Sequence, residues 1–164
     1  MLNLAELNAL SRDEFARTVG PVFEHSSSIA ERAAERRPFR SVDELHQALC
    51  AVVAESSAED KLRLIRAHPD LVGNAVLTAE SSGEQRAAGL TSLTPEEIRR
   101  FREYNSQYRE RFGFPFVICA RLNKKEAILR AFPERLEHAR EKEIETALAE
   151  IYKIAELRLR DLVE

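Results

Sequence analysis

Two cysteines, Cys50 and Cys119, are all that the 164 residues contain, and no CxxC or zinc-finger spacing connects them. That excludes a disulfide framework and a structural zinc site. What is left is a pair of reduced, buried thiols in a reducing compartment. Long apolar runs are missing too. No stretch approaches the ~20 apolar residues of a membrane span, so no membrane partner is expected. The opening MLNLAELNAL has no basic n-region, which argues against a signal peptide. The closing Leu162–Val163–Glu164 is not a peroxisomal Ser-Lys-Leu address. A cytoplasmic location is therefore expected.

Net positive charge is also absent. The balance of 25 Lys and Arg against 28 Asp and Glu gives −3, which offers no footing for nucleic acid. Arg32, Arg36, Arg37 and Arg40 do cluster, but Glu31 and Glu35 interleave with them and no aromatic platform accompanies them. A solvated helix face fits that pattern better than a phosphate contact. The four histidines are scattered, without HExxH or His-x-His, so no metal is expected. No Gly-rich phosphate loop, GxSxG elbow or dinucleotide fingerprint occurs. Cofactor-free acid/base chemistry on a small molecule is the enzyme class that survives.

What the chain does have is helix punctuation. Ser11–Glu14, Ser41–Glu44 and Thr94–Glu97 have the form of capping boxes, in which each side chain satisfies a free backbone N–H. Ser56–Glu59 marks a further start. Pro21 and Pro95 can open helices, Gly113 can stop one, and Pro133 is expected to kink or restart one. Ile98, Phe101, Asn105, Tyr108 and Phe112 share one helical face. A final helix is expected from about Glu141 to Leu162, with Ile144, Leu148, Ile151, Ile154, Ala155 and Leu162 inward. Phe114–Ala120 is the most apolar run. Nothing else alternates with period two, so it has no strand to pair with and reads as a buried extended segment or short helix. The expected fold is an all-α, single-domain bundle of six to eight helices over residues 1–164, without a sheet. A chain of this length buries roughly 70% of its unfolded surface.

One stretch does not read as core-building helix: Ala67–Leu90, AHPDLVGNAVLTAESSGEQRAAGL, which holds three of the five glycines. His68 precedes Pro69 and so should end a helix, where the helix dipole favours its charged form. Such a His can act as a general acid. A structural His at a helix C-cap would look the same. A loop-rich segment is expected from about Pro69 to Ser81. Ser81–Glu84 has capping-box form, but Gly83 is a poor helix former and suggests close approach of something to the backbone. Gln85 adds an amide suited to a ligand rich in N–H and C=O groups. In the last helix Arg158 projects from the apolar face, while Arg160 lies outward, four residues after Glu156. A buried Arg needs an anion, either a protein carboxylate or a ligand.

HPDL at His68–Leu71, SSGEQRAAGL at Ser81–Leu90, RFGFPFVICAR at Arg111–Arg121 and KIAELRLRDLV at Lys153–Val163 together resemble the 2-oxo-4-hydroxy-4-carboxy-5-ureidoimidazoline (OHCU) decarboxylases of urate breakdown. The motifs keep the family's order and spacing over nearly the whole chain. Val72 and Asn74 depart from the commoner HPDLAGK. The resemblance implies an all-α homodimer without cofactor that converts OHCU to (S)-allantoin and CO2. It makes His68 the proton donor, with Glu84 beside it in catalysis. It implies that Pro69, Ser81, Ser82, Gly83, Glu84, Gln85, Phe116, Val117, Ile118, Cys119 and Ala120 line the substrate. It places Arg158 at the substrate carboxylate, expected at a water-screened pocket edge. A helical binder or adaptor that keeps the pocket but does no chemistry is the other reading.

Overall fold

The computed structural model describes residues 1–164. It is all-α, with nine α-helices and no sheet. The order is α1 Leu4–Ala9, α2 Arg12–Val19, α3 Ser27–Ala33, α4 Val42–Ala54, α5 Ala58–Arg66, α6 Ala79–Ala87, α7 Pro95–Phe112, α8 Lys125–Leu136 and α9 Arg140–Leu162. The count exceeds the expected six to eight. The short α1 was not foreseen, although Asn3 and Glu6 close a full capping box at its start.

The punctuation explains most boundaries. Ser11 and Thr94 form reciprocal boxes with Glu14 and Glu97. Ser41 and Ser57 each accept a first-turn N–H, from Glu44 and Asp60. Gly113 ends α7 at φ 79°, a conformation glycine adopts without a Cβ penalty. Pro133 lies inside α8 without ending it. It is exposed, while Phe132 and Arg135 beside it are buried and hold both halves of the helix to the core.

The residues group into two compact units, Met1–Ala67 with Tyr152–Glu164, and His68–Ile151, so α9 contributes to both. In the first unit α3 packs against α2 and α4, around Phe15, Val19, Leu45 and Leu49. Its arginine cluster is largely spent on the protein. Arg36 pairs with Glu55, Arg40 with Glu44, and Arg37 donates to the carbonyls of Ala34, Asn8 and Leu10. His46 bonds the Tyr152 carbonyl at 2.9 Å, which ties α4 to the last part of α9.

In the second unit α7 packs on α8 through rings. Phe101 meets Phe132 edge-on, Tyr104 stacks on Phe132, and Tyr108 touches Phe112, Phe114 and Phe116. The Phe114–Cys119 run forms neither helix nor strand, its backbone is extended at Cys119, and the short 3₁₀ turn Ala120–Leu122 follows it. Of the two alternatives in the sequence reading, the short helix does not form over these residues. The sequence signal is shared out between ring packing and backbone satisfaction. Phe114 and Phe116 fill the core, and buried side chains from other helices take up backbone groups of the run.

Candidate active site

His68 follows directly on Ala67, the C-cap of α5, and is buried at 7% exposure. The placement at a helix end is as expected. Pro69–Thr78 is the loop, so it closes three residues earlier than Ser81. Thr78, not Ser81, caps α6, with its hydroxyl accepting the Ser81 N–H at 3.1 Å. The capping-box form of Ser81–Glu84 is thus a coincidence of spacing. Ser81, Ser82, Gly83, Glu84 and Gln85 all lie within the helix. Of these, Ser81 and Gln85 are buried, Ser82 and Glu84 half-buried, and Gly83 exposed.

Three contacts fix the loop after His68. The Arg109 Nε donates to both oxygens of Asp70, at 3.0 and 3.1 Å. The buried Asn105 donates its amide to the Leu71 carbonyl at 2.7 Å. The Gln85 carbonyl oxygen accepts the Val72 N–H at 3.3 Å, which ties the loop to α6. Val72 sits at φ 56°, a left-handed conformation that a β-branched residue resists. One of the two departures from the family pattern therefore falls on a strained backbone position. Gly73 is a tight position, because a Cβ there would stand 3.0 Å from the Asp70 Cβ and 3.2 Å from the Asp70 carbonyl oxygen, so Asp70 would have to give way. Gly83 is the opposite case. A Cβ there would meet nothing within 4 Å, so no part of the protein accounts for it.

The Phe116–Ala120 segment adjoins α6, which packs on the Ala120–Leu122 turn. Burial pushes the Cys119 thiol up, and the negative charges of Glu150 and Glu84 add to the rise. The effect of Glu84 places its carboxylate within electrostatic reach of this wall. The Phe116 ring stacks on Phe132 at 3.8 Å and is 1% exposed. Val117, Cys119 and Ala120 are also buried, and only Ile118 is half-exposed. Any contact this wall makes must come mainly from backbone and from Ile118.

Part of the backbone of this run is satisfied by the protein itself. The Cys119 N–H donates to the Glu150 carboxylate at 3.1 Å. The Val117 carbonyl accepts from Arg135 at 2.6 Å. Sequence reasoning missed Arg135, Glu143 and Glu150. The signal was present as charge at core spacing: Arg135 three residues after Phe132, and Glu143 and Glu150 four before and three after the buried Ala147.

Arg158 is not at a water-screened edge. It is 5% exposed, and its guanidinium donates to Glu24 Oε1 at 2.8 Å and to the Pro21 carbonyl at 3.2 Å. A protein carboxylate is thus one anion that it meets. Arg160 is the outward residue expected, paired with Glu156 and Asp43. No three His, Cys, Asp or Glu side chains converge on a point that could hold a metal. A cavity of about 320 Å³ beside Ile29, Val53 and Leu64 contains none of the sequence-predicted site residues. No helix is long and apolar enough to cross a membrane.

Comparison with known proteins completes the picture. The sequence model described as OHCU decarboxylase matches residues 8–160. A 2-oxo-4-hydroxy-4-carboxy-5-ureidoimidazoline decarboxylase of Haloferax volcanii is 44% identical over 98% of this chain and 95% of its own. That of Amia calva is 40% identical, over 99% and 95%. The crystal structure of an (S)-allantoin synthase superposes with a TM-score of 0.84 at 30% identity, covering all of this chain and 54% of that one. An OHCU decarboxylase crystallised in the presence of (S)-allantoin gives 0.71 at 27%, covering 84% and 92%. A full-length match of this kind, on a fold that carries the four motifs in register, shows that the chain belongs to the OHCU decarboxylase family.

Proposed function

We propose that the protein decarboxylates OHCU to (S)-allantoin and CO2 in urate degradation. The single observation that carries this is the family match over residues 8–160. The family has one sequence model over that span, so residues 1–164 are taken as one functional domain. The homodimer, the absence of a cofactor and the cytoplasmic location remain expectations of the resemblance and of the sequence.

The chemistry suits the residues. The carboxylate that leaves OHCU is attached to a carbon beside the ring C=N bond. Electrons released with CO2 flow into that imine, so the substrate supplies its own electron sink. The protein has to hold the carboxylate out of the ring plane and then protonate one face. His68 is the proton donor in this reading. Glu84 and Gln85 orient the hydroxyl, ring and ureido groups, with Pro69, Ser81 and Ser82 beside them. Backbone N–H donors around Val117–Cys119 meet ring oxygen in a preorganised way. The Cys119 N–H already serves Glu150, which leaves the Ile118 N–H for that task in this reading. Arg158 is assigned to the substrate carboxylate on the resemblance alone.

Spontaneous decay of OHCU gives racemic allantoin, so stereocontrol is as much the function as rate. The test is to generate OHCU freshly from urate and follow circular dichroism. Accumulation of the (S)-allantoin signal in proportion to enzyme is expected. Binding of allantoin without any such signal would favour the binder reading instead.

Gly83 offers a second check. Mid-helix glycine is about 0.8–1 kcal/mol less favourable than alanine, and the space beside it is open. Gly83→Ala should raise Tm by roughly 2–4 °C and raise KM severalfold, because the new methyl stands where substrate approaches. Unchanged KM with raised Tm would remove Gly83 from the substrate site.

A further inference from the structure

The two peptide groups that flank Ile118 are each held by a buried charged side chain. Arg135 Nη1 donates to the Val117 carbonyl at 2.6 Å, which fixes the 117–118 peptide. Glu150 accepts the Cys119 N–H at 3.1 Å, which fixes the 118–119 peptide. Arg135 is itself held. Its Nε donates to Glu143 Oε1 at 2.7 Å, and its guanidinium lies 4.2 Å from the Phe116 ring centre. Glu143 is fully buried and also accepts from Tyr108 at 2.5 Å, with His138 Nδ1 at 2.8 Å from its other oxygen. Burial, together with the bond to Glu143, keeps the Tyr108 hydroxyl well above its ordinary pKa despite the nearby Arg135, so it stays a donor.

We infer that Arg135, Glu143 and Glu150 are positioning residues for the decarboxylation, acting through the backbone of Ile118. In a planar trans peptide the C=O and N–H point in opposite directions. Gripping the Val117 carbonyl therefore aims the Ile118 N–H away from Arg135. Gripping the Cys119 N–H aims the Ile118 carbonyl away from Glu150. Neither Ile118 group has a hydrogen-bond partner in the protein, and Ile118 is the half-exposed member of an otherwise buried wall. The clamp thus presents one donor and one acceptor at a fixed pitch, which suits a ring that carries adjacent C=O and N–H groups. A buried ion pair is a stiff support for such a display, because the alternatives to its geometry leave charges unpaired.

This rests on the decarboxylase reading, so the experiment separates the two. The variant is the double substitution R135M/E143Q, which removes both charges together and keeps an amide acceptor for Tyr108. A fold control is Leu49→Ala, which thins the core of the other unit. Hydrogen exchange of residues 114–120 should speed up at least tenfold in the double variant and not in the control. KM for OHCU should rise about tenfold or more, since displacements near 1 Å cost up to ~10²-fold in well-oriented sites. The enantiomeric excess of allantoin should level off below the wild-type value however much enzyme is added. A purely structural lesion lowers active enzyme only, so its enantiomeric excess climbs back to the wild-type plateau. E150A, which removes the acceptor of the Cys119 N–H, should raise KM and lower the plateau in the same way as the double variant. Wild-type exchange, KM and plateau in the double variant would overturn the inference. Faster exchange in a protein whose wild type lacks turnover would leave the clamp standing and overturn the decarboxylase reading.

Discussion

Replacing His68 by asparagine or alanine should lower enzyme-dependent decarboxylation by about 10²–10⁴-fold, the usual contribution of a positioned general acid or base. His68 is 7% exposed and follows the C-cap of α5. The loop after it is fixed at Asp70, Leu71 and Val72 by three different partners, so a proton held on its ring is delivered from a defined place. Loss of that proton source leaves the spontaneous path, and the product should become racemic. Because a buried polar group contributes to stability as well, about 1–3 kcal/mol when its bonds are removed, the variant's Tm must be read beside its rate. A rate loss below threefold in a variant that keeps its fold would refute the proton-donor role.

Much of the fold could be read from caps. The boxes at Ser11 and Thr94, the half-box at Ser41 and the stop at Gly113 fall where the side chains predict, because capping is local chemistry that needs no tertiary partner. Two boundaries were misread for a related reason. Ser81–Glu84 has the letters of a box, but Thr78 satisfies the same Ser81 N–H three residues earlier, and pattern alone cannot rank two eligible caps. Pro133 should disturb α8 by local rules. Burial of Phe132 and Arg135 on either side outweighs one missing N–H.

The site was legible only in part. His68, Gly83, Glu84 and Gln85 stand out as residues that a bundle does not need. Asn105 was visible too, as a polar residue on an apolar stripe, and it turns out to hold the Leu71 carbonyl. The charged supports of the wall were not legible. Glu143 and Glu150 sit beside Ile144 and Ile151, and a hydrophobic-face reading takes the isoleucines and passes over the acids. Their task depends on an extended segment some 30 residues away in the chain, which periodicity along α9 does not report.

Arg158→Gln should lower Tm by roughly 6–20 °C, whereas Arg160→Gln should change it little. Both expectations follow from burial. Arg158 and Glu24 side chains are 5% and 1% exposed and 2.8 Å apart, and removing one partner of a buried pair costs about 3–5 kcal/mol. At 2–4 °C per kcal/mol for a chain of this size, that gives the stated range. Arg160 pairs at the surface, 47% exposed, where an ion pair contributes about 0–1 kcal/mol. The kinetic role is a separate question, because the resemblance assigns the guanidinium to the substrate carboxylate as well as its contacts to Glu24 and Pro21. An Arg that gripped the departing carboxylate too firmly would stabilise the ground state and slow the reaction. The expected signature is thus a rise in KM larger than the fall in kcat. Instability alone could mimic a loss of activity, so the deciding variant is R158Q/E24Q, in which two neutral amides face one another. It should recover most of the lost Tm and keep the raised KM. Recovery of Tm and KM together would show that Arg158 serves only the protein's own groups and that the substrate carboxylate is bound elsewhere.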